Sequence, residues 1–354
     1  MTELFKGEIS YVEALLIAQR KILNNNTKSL LLGINVTSPS AIFGSVKGLY
    51  EEFGPDRVIE TPASENAVTG IAIGLATSGH VPILVHQRLD FAILSLDMLI
   101  NQLAKWRYMY GDNLFAPVIV RMVVGRGWGQ GPQHSQALHN IFMHVPGFRV
   151  YSPSSAQDIY SSLIEASVAN DPTILIEHRW LYDTTGIVDQ SEVVLKNPTR
   201  CHSISNNSLV TVVCISFSTL EVLRAKTILE SKKIELDVFE IVRLDELKID
   251  VILKSIQKTG RLLVTDIGHE FAGASAAIIS ELVKSGAHFQ TPPIVLGLPN
   301  YPTPTSPSLT ATYYPSCLDI LNAIKHLASL NIKFENPDAN LKIDTPGNRF
   351  IGYY

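Results

Sequence analysis

The chain has 354 residues, of which 46% are hydrophobic and 18% charged, with a formal net charge of −4. That length exceeds what one hydrophobic core organises and predicts two domains, while the charge balance offers no broad basic field and argues against nucleic acid or a membrane surface as partner. No apolar run reaches the roughly eighteen residues of a membrane span, the opening MTELFKGEISYVEALLIAQ lacks a basic-then-apolar leader, and Cys201, Cys214 and Cys317 form no CxxC pair; a cytoplasmic protein without disulfides or a thiolate metal site is expected.

Along the chain, short apolar runs alternate with helical periodicity. Ser10 is placed to cap a helix whose apolar face carries Val12, Leu15, Leu16 and Leu23, and SLLLGINV then reads as a buried strand. RVIE, VPILV, APVIVRMVV, FRVY and PTILIE are further strands, separated by predicted helices over 64–78, 92–109, 134–143 and 155–169. Runs apolar on both faces predict a parallel sheet covered by helices. Residues 183–207 lose this periodicity and gather turn formers, which predicts a linker. A second α/β unit follows, with strands in SLVTVVCISF, ELDVFEIV, GRLLVTDI and PPIVLGL and helices near 218–230, 248–258, 273–285 and 316–328. PNYPTPTSP is expected as an ordered loop. The polar stretch after residue 330 is expected as an arm on a neighbouring subunit or a frayed tail.

GRGWGQGPQHSQ, residues 125–136, resembles a dinucleotide fingerprint but fails it. The spacing is G-x-G-x-G-x-G, Pro132 interrupts the following helix, and no acid ends a strand some twenty residues on. No phosphate-binding G-K-[ST] occurs either. Such glycines allow close approach of main chain to a flat ligand or another subunit, and they also occur in loops without function. His134, His139 and His144 recur every five residues, which on a helix turns each about 140° from the last and prevents one shared metal. His134, where loop meets predicted helix, is the candidate for chemistry; packing or surface roles suit the other two. In TPASENAVTGIAIGLATSG, residues 61–79, Ser64 is a candidate N-cap and Glu65 falls in the first turn, where the helix dipole alone favours an acid.

Taken together these segments carry a resemblance. AIFGSVKGLYEEFGPDRVIETPASENAVTGIAIGLATSG, then QHSQ, VPGFRVYSPSSAQD, NDPTILIEHRWLY, KTGRLLVTDIGHEFAGASA and PTPTSPSLTATYYPS, is similar to the β subunits of thiamine diphosphate-dependent 2-oxo acid dehydrogenases, collinearly to about residue 328. The resemblance implies an α/β protein with two parallel-sheet domains: a transketolase-type pyrimidine-binding domain over 1–182, the linker 183–207, a transketolase C-terminal domain over 208–330 and an arm over 331–354. Glu65 then matches the glutamate that hydrogen-bonds N1′ of the aminopyrimidine, a contact that favours the imino tautomer needed to take the thiazolium C2 proton. Phe91 matches the aromatic residue packed on the pyrimidine, and His134 the histidine that faces the cofactor and assists proton transfer or acyl hand-off. Gln133 and Arg88 are further cofactor-binding candidates, and Arg88, Arg126 and Trp128 candidates for an anionic substrate, with surface or structural ion pairing the plainer role for the arginines.

The diphosphate and Mg²⁺ require a GDG motif that this chain lacks, so the resemblance implies a partner α subunit, a two-plus-two heterotetramer and no metal ligand in this chain. A lipoyl acyltransferase is a candidate further partner. Three departures stand out: Ile34 replaces an acid, Arg88 and His86 replace acidic or apolar residues, and Ala169 and Asp171 alter a segment that binds potassium in some relatives. The expected activity is decarboxylation of pyruvate or a related 2-oxo acid with transfer of the acyl or hydroxyalkyl unit. A split transketolase or acyloin-forming carboligase is the alternative; a nicotinamide-dependent oxidoreductase and a non-catalytic scaffold are weaker ones.

Overall fold

The computed structural model describes residues 5–126, 130–192 and 198–339. Two compact units emerge, one built from residues before 126 together with 141–192, the other from 126 and 130–140 together with the chain from 198 onward. The segment after Gly125, including Gly131–Gln133 and His134, therefore packs with the second unit although it lies within the first in sequence.

The first unit runs β1 (Lys6–Ser10), α1 (Tyr11–Asn25), β2 (Ser29–Gly33), α2 (Leu49–Phe53), β3 (Val58–Glu60), α3 (Glu65–Thr77), β4 (Val81–His86), α4 (Leu89–Ala92), α5 (Trp106–Tyr110), β5 (Ile119–Val124), α6 (His139–Met143, starting in the second unit), β6 (Arg149–Tyr151), α7 (Ala156–Val168), β7 (Thr173–His178) and β8 (Thr185–Asp189). Its six-stranded sheet has the order β3-β2-β4-β5-β7-β6 and every pair is parallel. β2, β5 and β7 are buried along their whole lengths, as expected for strands covered on both faces. Ser10 caps α1 through a full capping box with Glu13, and Ser155 caps α7 by accepting from the Asp158 amide.

At the middle of this sheet Arg121 and Glu177, both fully buried, form an ion pair at 2.6 Å. Arg121 also donates to Gln19 Oε1 at 2.6 Å and to Ser45 Oγ at 3.1 Å, and the Tyr182 hydroxyl donates to Glu177 at 2.6 Å. Every charge there is met. Ser45 follows three non-glycine residues in the left-handed region, Ala41, Ile42 and Phe43, with φ of 45°, 48° and 59°. A β-branched residue there is costly, and such a turn persists only when its surroundings hold it. The buried network supplies that hold through Ser45.

The second unit contains β9 (Thr199–Ser203), β10 (Val210–Cys214), α8 (Ser218–Glu230), β11 (Leu236–Ile241), α9 (Asp250–Thr259), β12 (Leu262–His269), α10 (Ala274–Lys284), β13 (Ile294–Leu298), α11 (Pro307–Thr310) and α12 (Cys317–Leu327). Its sheet order is β13-β12-β10-β11-β9, parallel except for β9. α8 and α12 close one core against it.

Several expectations change. The stretch 183–207 holds β8, antiparallel to β1, and β9, antiparallel to β11. Short antiparallel edge strands carry polar residues on one face and so leave little apolar periodicity. The helix expected over 92–109 is broken into α4, a 3₁₀ turn at Ile93–Ser95, a wide π-helical stretch at Asp97–Leu103 and α5. The helix expected over 134–143 begins at His139. Ile332 and Phe334, within the expected arm, pack on the core of their own unit, and Asp338 pairs with Arg224. Among the described residues no helix is long and apolar enough to cross a membrane.

Candidate active site

A cavity of about 400 Å³ opens in the first unit at the carboxyl ends of its strands, the place where ligands enter open parallel sheets. Gly33 and Ile34 end β2, Thr61, Pro62 and Ala63 follow β3, and Leu84, Val85, His86 and Gln87 form the end of β4 and its exit. Glu65 and Val68 reach it from α3, and Phe91 and Leu94 from the turn beyond β4.

Glu65 is half-buried in the first turn of α3, where the helix dipole favours its carboxylate. Ser64 occupies the N-cap position but makes no side-chain cap bond. Gly70, one turn further, has only the Met98 sulfur, at 3.6 Å, within reach of a Cβ built at its position, so α3 lies close over the π-helical segment. The walls are otherwise largely apolar: Val68, Leu84, Val85, Phe91, Leu94 and Ile34. Gln87 Nε2 donates to the Ile34 carbonyl at 2.9 Å. His86 is 5% exposed, and burial pulls its pKa down to about 4. One carboxylate, an aromatic ring and a few polar groups in an apolar slot suit a flat heteroaromatic ring.

Of the residues singled out in the sequence, the structure brings Glu65, Phe91, Ile34 and His86 to this cavity and adds Gln87. Arg88 is buried and is not among the residues lining it: its guanidinium lies 4.8 Å from the Phe43 ring centre, and that of a second buried arginine, Arg179, lies 5.0 Å from the same centre. Burial lowers the Arg88 pKa to about 10 against the pull of Asp90. Arg88 thus braces the strained 41–44 turn.

Arg126, Gln133 and His134 belong to the second unit. Arg126 is buried with its guanidinium 4.6 Å from the Tyr314 ring centre and 5.3 Å from that of Phe217. Gln133 is exposed and His134 half-buried. Gly131, with φ of 70°, packs against Thr305, a backbone conformation and a contact that a side chain would spoil. His139 is a packing residue: its Nε2 lies 3.0 Å from Asp266 Oδ1 in the buried interior. Burial would raise the Asp266 carboxyl, but His139 together with the backbone amides of Gly268 and Ile267 holds it below the ordinary range. A Cβ on Gly268 would stand 2.8 Å from the His139 ring, so this segment needs glycine opposite it. Trp128 lies outside the described residues. Asp171 pairs with Arg107 at 2.8 Å and stands 3.9 Å from Arg149.

The parallel sheet with a ligand cavity at its carboxyl edge, followed by a second α/β unit, defines a transketolase-type subunit. Residues 7–184 match the transketolase pyrimidine binding domain and residues 201–320 the transketolase C-terminal domain. The chain is 33% identical to the β subunit of acetoin:2,6-dichlorophenolindophenol oxidoreductase of Cupriavidus necator, over 80% of this chain and 84% of that one. It is 32% identical to the β subunit of the pyruvate dehydrogenase E1 component of Rickettsia bellii, over 90% of this chain and 98% of that one. A solved split gene transketolase, an inactive beta4 tetramer, shares the fold at a TM-score of 0.72 and 19% identity, over 92% of this chain and 99% of that one. The chain belongs to the transketolase-type family that includes these dehydrogenase and oxidoreductase β subunits.

Proposed function

We propose that this chain is the β-type subunit of a cytoplasmic thiamine diphosphate-dependent enzyme that decarboxylates pyruvate or a close 2-oxo acid and passes on the acyl or hydroxyalkyl unit. The observation that carries the reading is the cavity of the first unit, where Glu65 and Phe91 meet in an otherwise largely apolar slot within the pyrimidine-binding domain. Relatives at 32–33% identity are named as pyruvate dehydrogenase and acetoin oxidoreductase β subunits, whereas the likeness to a split transketolase is one of fold, which disfavours a sugar-transferring enzyme.

When bound, thiamine diphosphate supplies the carbon nucleophile for the 2-oxo carbonyl and the sink for the electron pair released with CO₂. Glu65 shares one proton with a ring nitrogen, donating it to the neutral ring and accepting the hydrogen bond once the nitrogen is protonated. Val68, Leu84, Phe91 and Leu94 pack on the ring and exclude water, which strengthens the Glu65 hydrogen bond. His134 and Gln133 are assigned to the cofactor side of the second unit's glycine segment, with His134 as the proton donor or acceptor. Arg88 supports the site through the Phe43 turn, and Arg126 through its packing between Phe217 and Tyr314. An α-type partner holds the diphosphate and Mg²⁺ in a two-plus-two heterotetramer.

The test uses the complex of this chain with its α-type partner, isolated from the cell that makes it. CO₂ release from a panel of 2-oxo acids, measured with a lipoyl domain or an aldehyde as acceptor, identifies substrate and acceptor. Glu65→Gln is expected to lower turnover by about 100-fold or more while the complex sediments unchanged; unaltered turnover refutes the assignment.

A further inference from the structure

The rim of the cavity in the first unit is tied together by an acid that the proposed chemistry leaves unused. Glu60 is the last residue of β3 and stands in register with Gly33, the last residue of β2. Its carboxylate accepts three hydrogen bonds from the segment that leaves β2: the Asn35 amide donates to Oε1 at 2.6 Å, and the Thr37 amide and hydroxyl donate to Oε2 at 3.0 and 2.9 Å. Bonds of this kind to an ionised acceptor are roughly twice as strong as neutral ones.

The segment needs such a clamp. Asn35 turns the chain in the left-handed region, with φ of 62°, a conformation that persists when its surroundings hold it. Gly33 has no room for a side chain, since a Cβ there would stand 2.7 Å from the Val85 carbonyl oxygen and 3.1 Å from the Val36 side chain. The residues on either side of the clamp belong to the cavity: Ile34, directly before Asn35, and Thr61, Pro62 and Ala63, directly after Glu60, all line it. Gln87, at the exit of β4, donates to the Ile34 carbonyl at 2.9 Å. The exits of β3, β2 and β4 are thus joined in a row, with Glu60 holding the first seam and Gln87 the second.

We propose that Glu60 is a positioning residue for the bound aminopyrimidine: by fixing the 34–37 segment it sets where Ile34 stands in the cavity wall, and so how firmly the ring is held against Glu65. The proposal rests on reading the cavity as the aminopyrimidine pocket. Glu60 touches neither the ring nor the transferred proton in this role; it acts through Ile34.

Titration calorimetry of the intact complex with thiamine diphosphate and Mg²⁺ tests it, alongside thermal melts of the cofactor-free complex and turnover at saturating cofactor. Glu60→Ala is expected to weaken cofactor binding by about three- to tenfold, and Thr37→Val, which removes the hydroxyl bond alone, by about two- to threefold. Turnover of both at saturating thiamine diphosphate is expected to stay within about twofold of wild type, because the lost interaction serves binding. Ser10→Ala strips the cap from α1 and lowers stability at a residue that does not line the cavity, and it is expected to bind the cofactor as wild type does. Wild-type affinity in Glu60→Ala overturns the proposal, and should that variant fail to fold, wild-type affinity in Thr37→Val does so. An equal loss of affinity in Ser10→Ala also overturns it, since it marks a general effect of stability. If the wild-type complex binds no thiamine diphosphate, the reading of the cavity fails, and the proposal with it.

Discussion

Arg121 and His86 lie on neighbouring strands of the first sheet at nearly the same level, since His86 on β4 pairs in register with Met122 on β5. Arg121 is fully partnered by Glu177, Gln19 and Ser45, and Glu177 outweighs the burial that would lower its pKa. His86 instead keeps a buried nitrogen with no partner among the described residues. One site holds the fold and the strained turn above it; the other is a single buried imidazole in a residue that lines the cavity. Buried polar groups closed on one another hold the fold, whereas a buried nitrogen left without a partner costs stability.

The sharpest way to break this contrast is to cut the closed network. Arg121→Met leaves the Glu177 charge buried, and a loss of about 3–5 kcal/mol in unfolding free energy is expected from urea denaturation. Arg121→Met combined with Glu177→Leu is expected to recover much of that loss, because no unpaired charge remains. If the double variant is as unstable as the single one, the network contributes more than charge compensation.

A smaller effect is expected at His86. Its folded pKa of about 4 lies below the ordinary value of 6.5, so the unfolded chain binds the extra proton between those values. Its contribution to stability is complete above pH 6.5 and is lost as pH falls through 4, as much as about 3 kcal/mol in all. His86→Leu should flatten the acid limb of the stability curve of the cofactor-free protein in that window; an unchanged limb contradicts a neutral buried imidazole. The least effect belongs to the exposed Arg107–Asp112 pair, at 2.8 Å, where Asp112→Ala is expected to leave the urea midpoint essentially unchanged because water screens the pair.

Much of the fold is legible in the sequence because β2, β4, β5, β7 and β10–β12 are apolar runs, and α7, α8 and α12 carry a regular apolar face. β1, β8 and β9 are not, since antiparallel edge strands need few apolar residues. The 92–109 region misleads by its continuous helix-forming composition; its π-helical stretch, which packs against α3, leaves no mark in that composition. Within the cavity, Glu65 and Phe91 are visible through the long resemblance that surrounds them. Arg88 looks equally suited to a ligand, but at the head of a four-residue helix its side chain turns onto Phe43. The signal for His86 is its position, a single imidazole ending the apolar strand VPILVH, and its missing partner becomes visible only in three dimensions.

The most direct measurement is a structure of the complex with its α-type partner, determined with thiamine diphosphate and Mg²⁺ bound. The pyrimidine ring is predicted to lie in the cavity of the first unit, with a Glu65 oxygen within hydrogen-bond distance of a ring nitrogen and Phe91 against the ring. A coenzyme held wholly by the partner, or Glu65 turned away from the ring, would contradict the account.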